Sequence, residues 1–501
     1  MTDERRMGLG ALTDAIGPER VVGIPVGEVT SLAYDSRRVE PGTLFFAVPG
    51  VHVDGHDFAA PAVEAGAIGL VVERELSGPT VPQLVVDSTR RALADAADAW
   101  FGRPSERLTV IGVTGTDGKS TVTALTAELL RRAGRRPGQI GTVFVGIGDD
   151  VRPNDDRTTT PEALELQELL ARMVEDGNDS VVMEATSHGL ALDRTRNSRF
   201  DVGVVTTVTS EHLEFHGTPD AYRAAKARLV EEAPISILNA DDDSFAYFRD
   251  RARARPADRV ITYGIDAPAD LRAVGLAGDA GGTRFTLESP RWRGEVRVAL
   301  PGRFNVSNAL AALAVGEALA LDLEGASRGL GETSGVPGRM ERVDAGQPFA
   351  VIVDYAHTAD SLRKVLEILR PLTVGRLIAV FGSAGERDPT KRGPMGRVAA
   401  ELADFVVVTD EDPRLEDPGL INEQIAAGAR AVGAADGETL WVIGDRREAI
   451  GHAVGMAQEG DVILLAGKGH ESSMFYGTEK RPWDDRLAAR EALKASGWTP
   501  Q

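Results

Sequence analysis

Leu108-Thr109-Val110-Ile111-Gly112-Val113-Thr114-Gly115-Thr116-Asp117-Gly118-Lys119-Ser120-Thr121 is the stretch on which the fold class turns. A β-branched run leads directly into a glycine loop, and an Ala- and Leu-rich stretch of helical character follows. Strand, loop and helix in that order put backbone N–H groups and a helix N-terminus where they cradle phosphate oxygens. Gly115 and Gly118 let the backbone approach closely, Lys119 brings a positive charge to the β/γ-phosphates, and Ser120 is placed to ligate Mg²⁺. Val113 stands where the usual G-x-x-x-x-G-K-[ST] loop has its first glycine, so the segment taken alone also reads as a glycine turn with a stray lysine. The strand before it and the helix after it favour nucleotide binding.

Outward from this loop, short β-branched runs alternate with Ala-, Leu- and Glu-rich helical stretches, the pattern of parallel sheets covered by helices. Strands are expected at Ile68–Val72, Gln83–Asp87, Leu108–Thr114, Ser180–Glu184, Val202–Val208, Ile235–Asn239, Phe349–Tyr355, Leu377–Gly382, Phe405–Thr409, Leu440–Gly444 and Val462–Ala466. Gly-rich turns between Asp270 and Pro301 separate alternating segments, which reads as a small antiparallel meander attached to the central domain. The rhythm breaks near Gly102–Glu106 and at Thr333–Arg339. The expectation is therefore an α/β protein of three domains, 1–105, 106–335 and 336–501, in keeping with a length too great for one core.

Composition narrows the chemistry. The absence of cysteine excludes disulfides, thiolate catalysis and Cys-based zinc sites, leaving oxygen or imidazole to hold any metal. A net charge of -20 argues against a general affinity for nucleic acid. The longest apolar runs are far too short to span a bilayer, and Met1–Gly8 is charged with no apolar signal core behind it, so a cytoplasmic protein without membrane insertion is expected.

Three further positions carry chemistry. Glu184, at the end of its strand, lies where ligands bind in parallel sheets and is read as a Mg²⁺ ligand, or else as a helix-capping acid. His212, after the Val202 strand, is a surface histidine or a metal ligand. Lys226, amid alanines, is by itself a solvated helix position.

Gly115–Ser120, Glu184–Leu190, His212, Lys226, Gly302–Asn308, Asp354–Thr358 and Gly382–Arg392, in this order over nearly the whole chain, resemble the signatures of the Mur ligases. These are ATP-dependent enzymes that add amino acids stepwise to a UDP-N-acetylmuramoyl peptide. Within the family the chain most resembles the branch that adds the third residue of the stem peptide, usually meso-diaminopimelate or L-lysine. Asp35–Gly42 with Asp54-Gly55-His56, Glu411-Asp412-Pro413-Arg414 and Gly467-Lys468-Gly469-His470-Glu471 carry that choice. The resemblance implies an N-terminal uridine-binding domain, a central P-loop ATPase domain and a Rossmann-like C-terminal domain that takes the amino acid. It also implies a monomer acting on a UDP-N-acetylmuramoyl dipeptide and a free amino acid in peptidoglycan biosynthesis.

By the same resemblance, Gly115, Thr116, Asp117, Gly118, Lys119, Ser120 and Thr121 bind ATP, with Asn305 and Asn308 at the adenine and Arg339, Asp354 and His357 reaching the nucleotide from the C-terminal domain. Ser120 and Glu184 hold one Mg²⁺, and His212 a second alongside Lys226, a lysine typically carbamylated in the family. A carbamate presents oxygens to the metal where an ammonium would repel it. Thr159, Thr160, Ser187 and Arg194 line the UDP-sugar peptide site, with Ser36 nearer the uracil. Arg387, Asp412, Arg414, Gly467 and Glu471 form the acceptor pocket. A guanidinium at Arg414 pairs bidentately with a distal carboxylate, which diaminopimelate has and lysine lacks.

Four positions depart from the family pattern. Glu411-Asp412 replaces the usual Asp-Asn, and its extra negative charge is expected to sit beside Arg414, neutralising it or favouring a substrate amine. Thr207 and Glu211 replace an Asn and an Asp before the metal histidine. The rival readings are a ligase of the same class using L-lysine or another amino acid, a catalytically silent nucleotide-binding regulator, and a metal-free structural protein.

Overall fold

A computed structural model describes residues 5–50, 53–154, 158–209, 211–253, 259–279, 282–332 and 335–498. Thr333 and Ser334 of the second expected boundary lie outside the described residues, as do Met1–Glu4 of the charged N-terminus and Ala280 and Gly281 within the expected meander. The chain packs as two compact units, Met1–Leu271 with Ala311–Asp322, and Arg272–Leu310 with Leu323–Gln501.

The first unit begins with a five-stranded sheet in the order Arg20–Val22, Gln83–Val85, Gly69–Val72, Thr43–Phe46, Ser31–Ala33. Its first pair is antiparallel and the others are parallel. Leu44 and Phe46 face a core with Leu9, Leu12 and Trp100, whereas Phe45 between them faces Ala59 and Ala62 on the other side. This is the period-two alternation of a strand covered on both faces.

Farther along the same unit, strands run in the order Asp150–Pro153, Phe144–Ile147, Pro137–Ile140, Ser180–Glu184, Thr109–Thr114, Val202–Val205, Ile235–Asn239, Arg259–Gly264. The last six pair in parallel, and the first two add an antiparallel hairpin. Thr109–Thr114 sits in the middle, with later strands laid to both sides of it. At such a switch point a crevice opens beyond the carboxyl ends of the strands. Val110, Ile111 and Val113 are fully buried, which explains the continuous apolar run.

The second unit holds the meander from Arg272 onward, its strands being Leu271–Asp279, Gly282–Glu288 and Arg293–Val298, antiparallel with a register shift between Val274 and Ala277. Residues Arg272–Leu310 belong to this second unit. Its six-stranded sheet runs Glu341–Val343, Ala350–Asp354, Val462–Ala466, Leu377–Phe381, Phe405–Val408, Leu440–Val442, parallel except for the first strand. Helices Ala359–Leu369, Arg392–Leu402 and Pro418–Arg430 cover one face through Leu362, Met395 and Ile425. Arg446–Met456 and Asp485–Ala495 cover the other through Ile450 and Leu493. This is a doubly wound α/β layer.

Ser180–Glu184, Ile235–Asn239 and Val462–Ala466 form over the expected residues. The Val202 strand stops early, at Val205, because Thr206 and Thr207 leave the ladder to bind the phosphate loop. Among the described residues no helix is long and apolar enough to cross a membrane.

Candidate active site

Gly115 takes φ +148°, and a Cβ there would collide with the Thr206 hydroxyl, so only glycine fits the turn. The Thr206 hydroxyl donates to the Asp117 carbonyl at 2.6 Å, and the Thr116 N–H donates to the Thr207 carbonyl at 2.6 Å. The loop is therefore shaped by the neighbouring strand. Gly118, at φ +89°, caps helix Lys119–Arg132, whose N-terminus emerges with Lys119, Ser120 and Thr121.

Two lysines converge on one atom. Lys119 Nζ donates to the Gly115 carbonyl at 3.1 Å and to the Thr116 carbonyl at 2.7 Å, while Lys226 Nζ donates to the same Gly115 carbonyl at 2.6 Å. Lys226 is 1% exposed and lies over the Tyr222 ring, so it is not a solvated helix position. Burial first, and then the charge of Lys119, press its pKa well below the usual lysine range. Tyr222 in turn shares a 2.9 Å hydrogen bond with the Thr116 hydroxyl.

Glu184 is 1% exposed and accepts the Thr142 N–H at 2.9 Å and the Thr142 hydroxyl at 3.0 Å. It is not a helix cap; Thr186 caps the helix that starts at Ser187. Thr142 also meets the Thr159 hydroxyl at 2.9 Å, and the Thr160 hydroxyl donates to the Glu184 carbonyl at 2.8 Å. Arg194 donates to the Thr160 carbonyl at 3.1 Å and pairs with Glu162 at 2.6 Å. Glu184, Thr159, Thr160, Ser187 and Arg194 thus gather beside the strand end, joined by Thr142, which sequence reading missed. Ser36 opens a short helix elsewhere in the first unit, capped by Asp35.

His212 is half exposed, at φ +55°, with its ring 4.7 Å from His188 and its Nδ1 3.3 Å from Glu214. Lys226 is held by Gly115 and Tyr222. Among the described residues no three His, Asp or Glu side chains converge as a ready metal cage. Magnesium is usually held by one or two carboxylates plus phosphate and water oxygens, and the Ser120 hydroxyl with a buried Glu184 carboxylate fits that donor chemistry.

In the second unit, Asp354 is buried and accepts the N–H groups of Met340 and Ala356, both at 2.8 Å. Burial raises its pKa, opposed by Arg339, whose guanidinium lies 4.7 Å from the Tyr355 ring centroid. His357 Nδ1 approaches the Tyr355 carbonyl at 2.9 Å, and the His357 carbonyl accepts Lys391. Asn305 and Asn308 are buried and turn inward: Asn305 donates to the Pro301 carbonyl and Asn308 to Asn305.

Asp412 and Glu471 are brought together by a residue the sequence reading did not single out. Lys468, fully buried, donates to Asp412 Oδ1 at 3.0 Å and to Glu471 Oε2 at 2.5 Å. Arg414 is pinned by its backbone to the strand Ser473–Tyr476, donating to the Phe475 carbonyl and accepting from the Gly477 N–H. Arg387 is exposed. The expected contact of Glu411 with Arg414 does not occur. Positive φ angles at Asp412 and Arg414 turn successive side chains apart, and Glu411 is buried under Gly467, where a Cβ would stand 2.9 Å from its Oε2. Burial raises the Glu411 pKa, and the cations that act against this are Lys468, Lys391, Arg446 and His357.

Three family models match this chain: Mur ligase middle domain over residues 113–316, Mur ligase, glutamate ligase domain over 338–469, and Mur ligase family, catalytic domain over 28–101. The chain belongs to the Mur ligase family. A UDP-N-acetylmuramyl-tripeptide synthetase of Roseiflexus sp. (strain RS-1) is 47% identical over 488 residues, 94% of this chain and 96% of that protein. A UDP-N-acetylmuramoyl-L-alanyl-D-glutamate--2,6-diaminopimelate ligase of Geobacillus kaustophilus (strain HTA426) is 43% identical over 479 residues, 94% of this chain and 96% of that protein. A solved structure of a ligase of that name superposes with a TM-score of 0.73 at 31% identity, covering 98% of this chain and 100% of the other.

Proposed function

We propose that this chain is an ATP-dependent ligase of peptidoglycan biosynthesis that joins meso-2,6-diaminopimelate to UDP-N-acetylmuramoyl-L-alanyl-D-glutamate. The observation that carries the reading is the convergence of Lys119 and the buried Lys226 on the Gly115 carbonyl. Packing alone does not account for two lysines on one carbonyl. A phosphate loop does: Lys119 serves the polyphosphate, and Lys226, which burial and the Lys119 charge keep from its ammonium form, is held beside it for a different role.

In this reading the D-glutamyl carboxylate oxygen attacks the γ-phosphorus of ATP, ADP leaves, and an acyl phosphate remains. The acceptor amine then attacks the acyl carbon, loses a proton, and phosphate leaves with the C–O bonding pair. Lys119 and the loop N–H groups hold the phosphates, and Arg339, Asp354 and His357 serve the nucleotide from the C-terminal region. Ser120 and Glu184 would hold Mg²⁺, which would spread the polyphosphate charge. His212 and a carbamylated Lys226 would hold a second Mg²⁺. Lys226 works as a carbamate: its burial beside Lys119 disfavours the ammonium and leaves the free amine that CO₂ requires.

Thr159, Thr160, Ser187 and Arg194 receive the muramoyl peptide, and Ser36 the uracil side. Arg387, Asp412, Arg414, Gly467 and Glu471 receive the amino acid, with Arg414 pairing its distal carboxylate; Glu411, turned away, leaves Arg414 free to do so. The domains are 1–105, 106–335 and 336–501, and the enzyme acts as a cytoplasmic monomer.

The test is phosphate release from ATP with Mg²⁺, the UDP-muramoyl dipeptide and one amino acid at a time. Release dependent on meso-diaminopimelate is expected. Release with L-lysine alone overturns the acceptor assignment, and none with any diamino acid overturns the ligase itself.

A further inference from the structure

Arg446 is the first residue of helix Arg446–Met456, and its side chain is fully buried, as is that of Asp485 opposite. The pair is bidentate: Arg446 Nε donates to Asp485 Oδ1 at 2.8 Å and Nη2 to Oδ2 at 2.7 Å. Trp483 Nε1 holds Asp485 Oδ1 from another direction at 2.8 Å. A buried ion pair commonly adds no stability over well-packed apolar residues, because both charges must be desolvated. Stability alone is therefore a poor account of it.

What the guanidinium does with its remaining donors is more informative. Nη2 donates to the Ala466 carbonyl at 2.9 Å, and Nη1 reaches the Asp410 carbonyl at 3.4 Å. Ala466 ends the strand Val462–Ala466 and is followed by Gly467-Lys468, while Asp410 immediately precedes Glu411-Asp412. The two strands are not neighbours, since Leu377–Phe381 lies between them. One side chain thus bridges, along the carboxyl edge of the sheet, the end of one strand and the segment that follows another, and ties together the roots of the two segments that Lys468 joins again farther out.

We infer that Arg446, oriented by Asp485, is a positioning residue for the amino-acid pocket: it sets the separation between the Gly467–Glu471 loop and the Glu411–Arg414 segment. The inference rests on the acceptor-pocket reading given above. Arg446 touches no substrate, and its effect falls on acceptor affinity with no effect on phosphate chemistry.

The experiment uses the full chain with R446M/D485L, which removes both charges together, and R446K, which keeps the charge but gathers its donors on one nitrogen. Steady-state KM is measured for the amino acid, ATP and the UDP-muramoyl dipeptide, with thermal midpoints alongside. R446M/D485L is expected to keep its midpoint within a few degrees and to raise the amino-acid KM about tenfold or more, corresponding to about 1.4 kcal/mol, with the other two KM values within about twofold. R446K is expected to fall between wild type and the double variant. An unchanged amino-acid KM, or an equal rise in all three, overturns the inference. If R446M/D485L does not fold, R446K decides alone by the same comparison. D412N and R414A separate the two readings: should they leave the amino-acid KM unchanged, the pocket assignment itself fails, whereas a rise there without one in R446K defeats only the role given to Arg446.

Discussion

At the scale of single residues, environment outweighs chemical type. Lys226 sits among alanines in sequence, yet it lies buried against a loop 111 positions away. Glu411 follows a strand into the pocket region and faces away from the arginine three residues on. His470, in the loop that carries Glu471, shows the same rule for titration. Burial first, then Arg339, Arg486 and Lys468, lower its pKa from 6.5 to about 4. The folded state therefore holds the neutral ring, and the unfolded chain binds the proton more readily. The stability this represents is fully present above pH 6.5 and is lost as the pH falls toward 4. Between pH 7 and pH 5 the loss is about 2 kcal/mol. Urea unfolding midpoints across that range should drop more steeply for wild type than for His470→Gln; parallel curves would show that the ring is not held neutral. The residue types at the phosphate loop, strand-end acid and acceptor motifs were legible because those chemistries need particular side chains. Thr142, Lys468, Arg446 and Asp485 were not legible as a set, since each is an ordinary polar residue until a distant partner reaches it.

Among elements, the parallel strands were readable because burial on both faces makes them continuous apolar runs. Their ends were not, because strand termination depends on what the next residues bind, as Thr206 shows. Helix contacts were equally hidden. Helices Arg392–Leu402 and Pro418–Arg430 pack at glycines: a Cβ on Gly428 would strike the Gly393 carbonyl, and one on Gly396 the Ile425 carbonyl. Alanine in a helix interior ordinarily gains about 0.5–1 kcal/mol over glycine. Overpacking against rigid backbone costs about 1–3 kcal/mol, so the clash wins. Gly428→Ala should therefore lower the urea midpoint with an unchanged slope, while Gly433→Ala, on a glycine at φ +100° with open space around its side-chain position, loses only the left-handed conformation. Equal or higher stability in Gly428→Ala would show that the helices can move apart freely.

For the molecule as a whole, ligand binding and folding are linked, because a site assembled from several strand ends exists only in the folded chain. ATP with Mg²⁺ at a hundred times its Kd should raise stability by about 2.7 kcal/mol, read as a higher thermal midpoint, and Lys119→Ala should abolish most of that rise while folding normally. An identical rise in both proteins would place the nucleotide elsewhere. The sequence by itself determined the α/β class, the phosphate loop and the order of the family motifs, because strand period, glycine turns and required side chains are local properties of the chain. Only the tertiary structure decided which polar groups meet: Lys226 with Gly115, Lys468 with Asp412 and Glu471, Arg446 with Asp485 and two strand ends. Those meetings depend on strand order and on the direction in which each loop leaves its strand, and neither is written in any short stretch of residues.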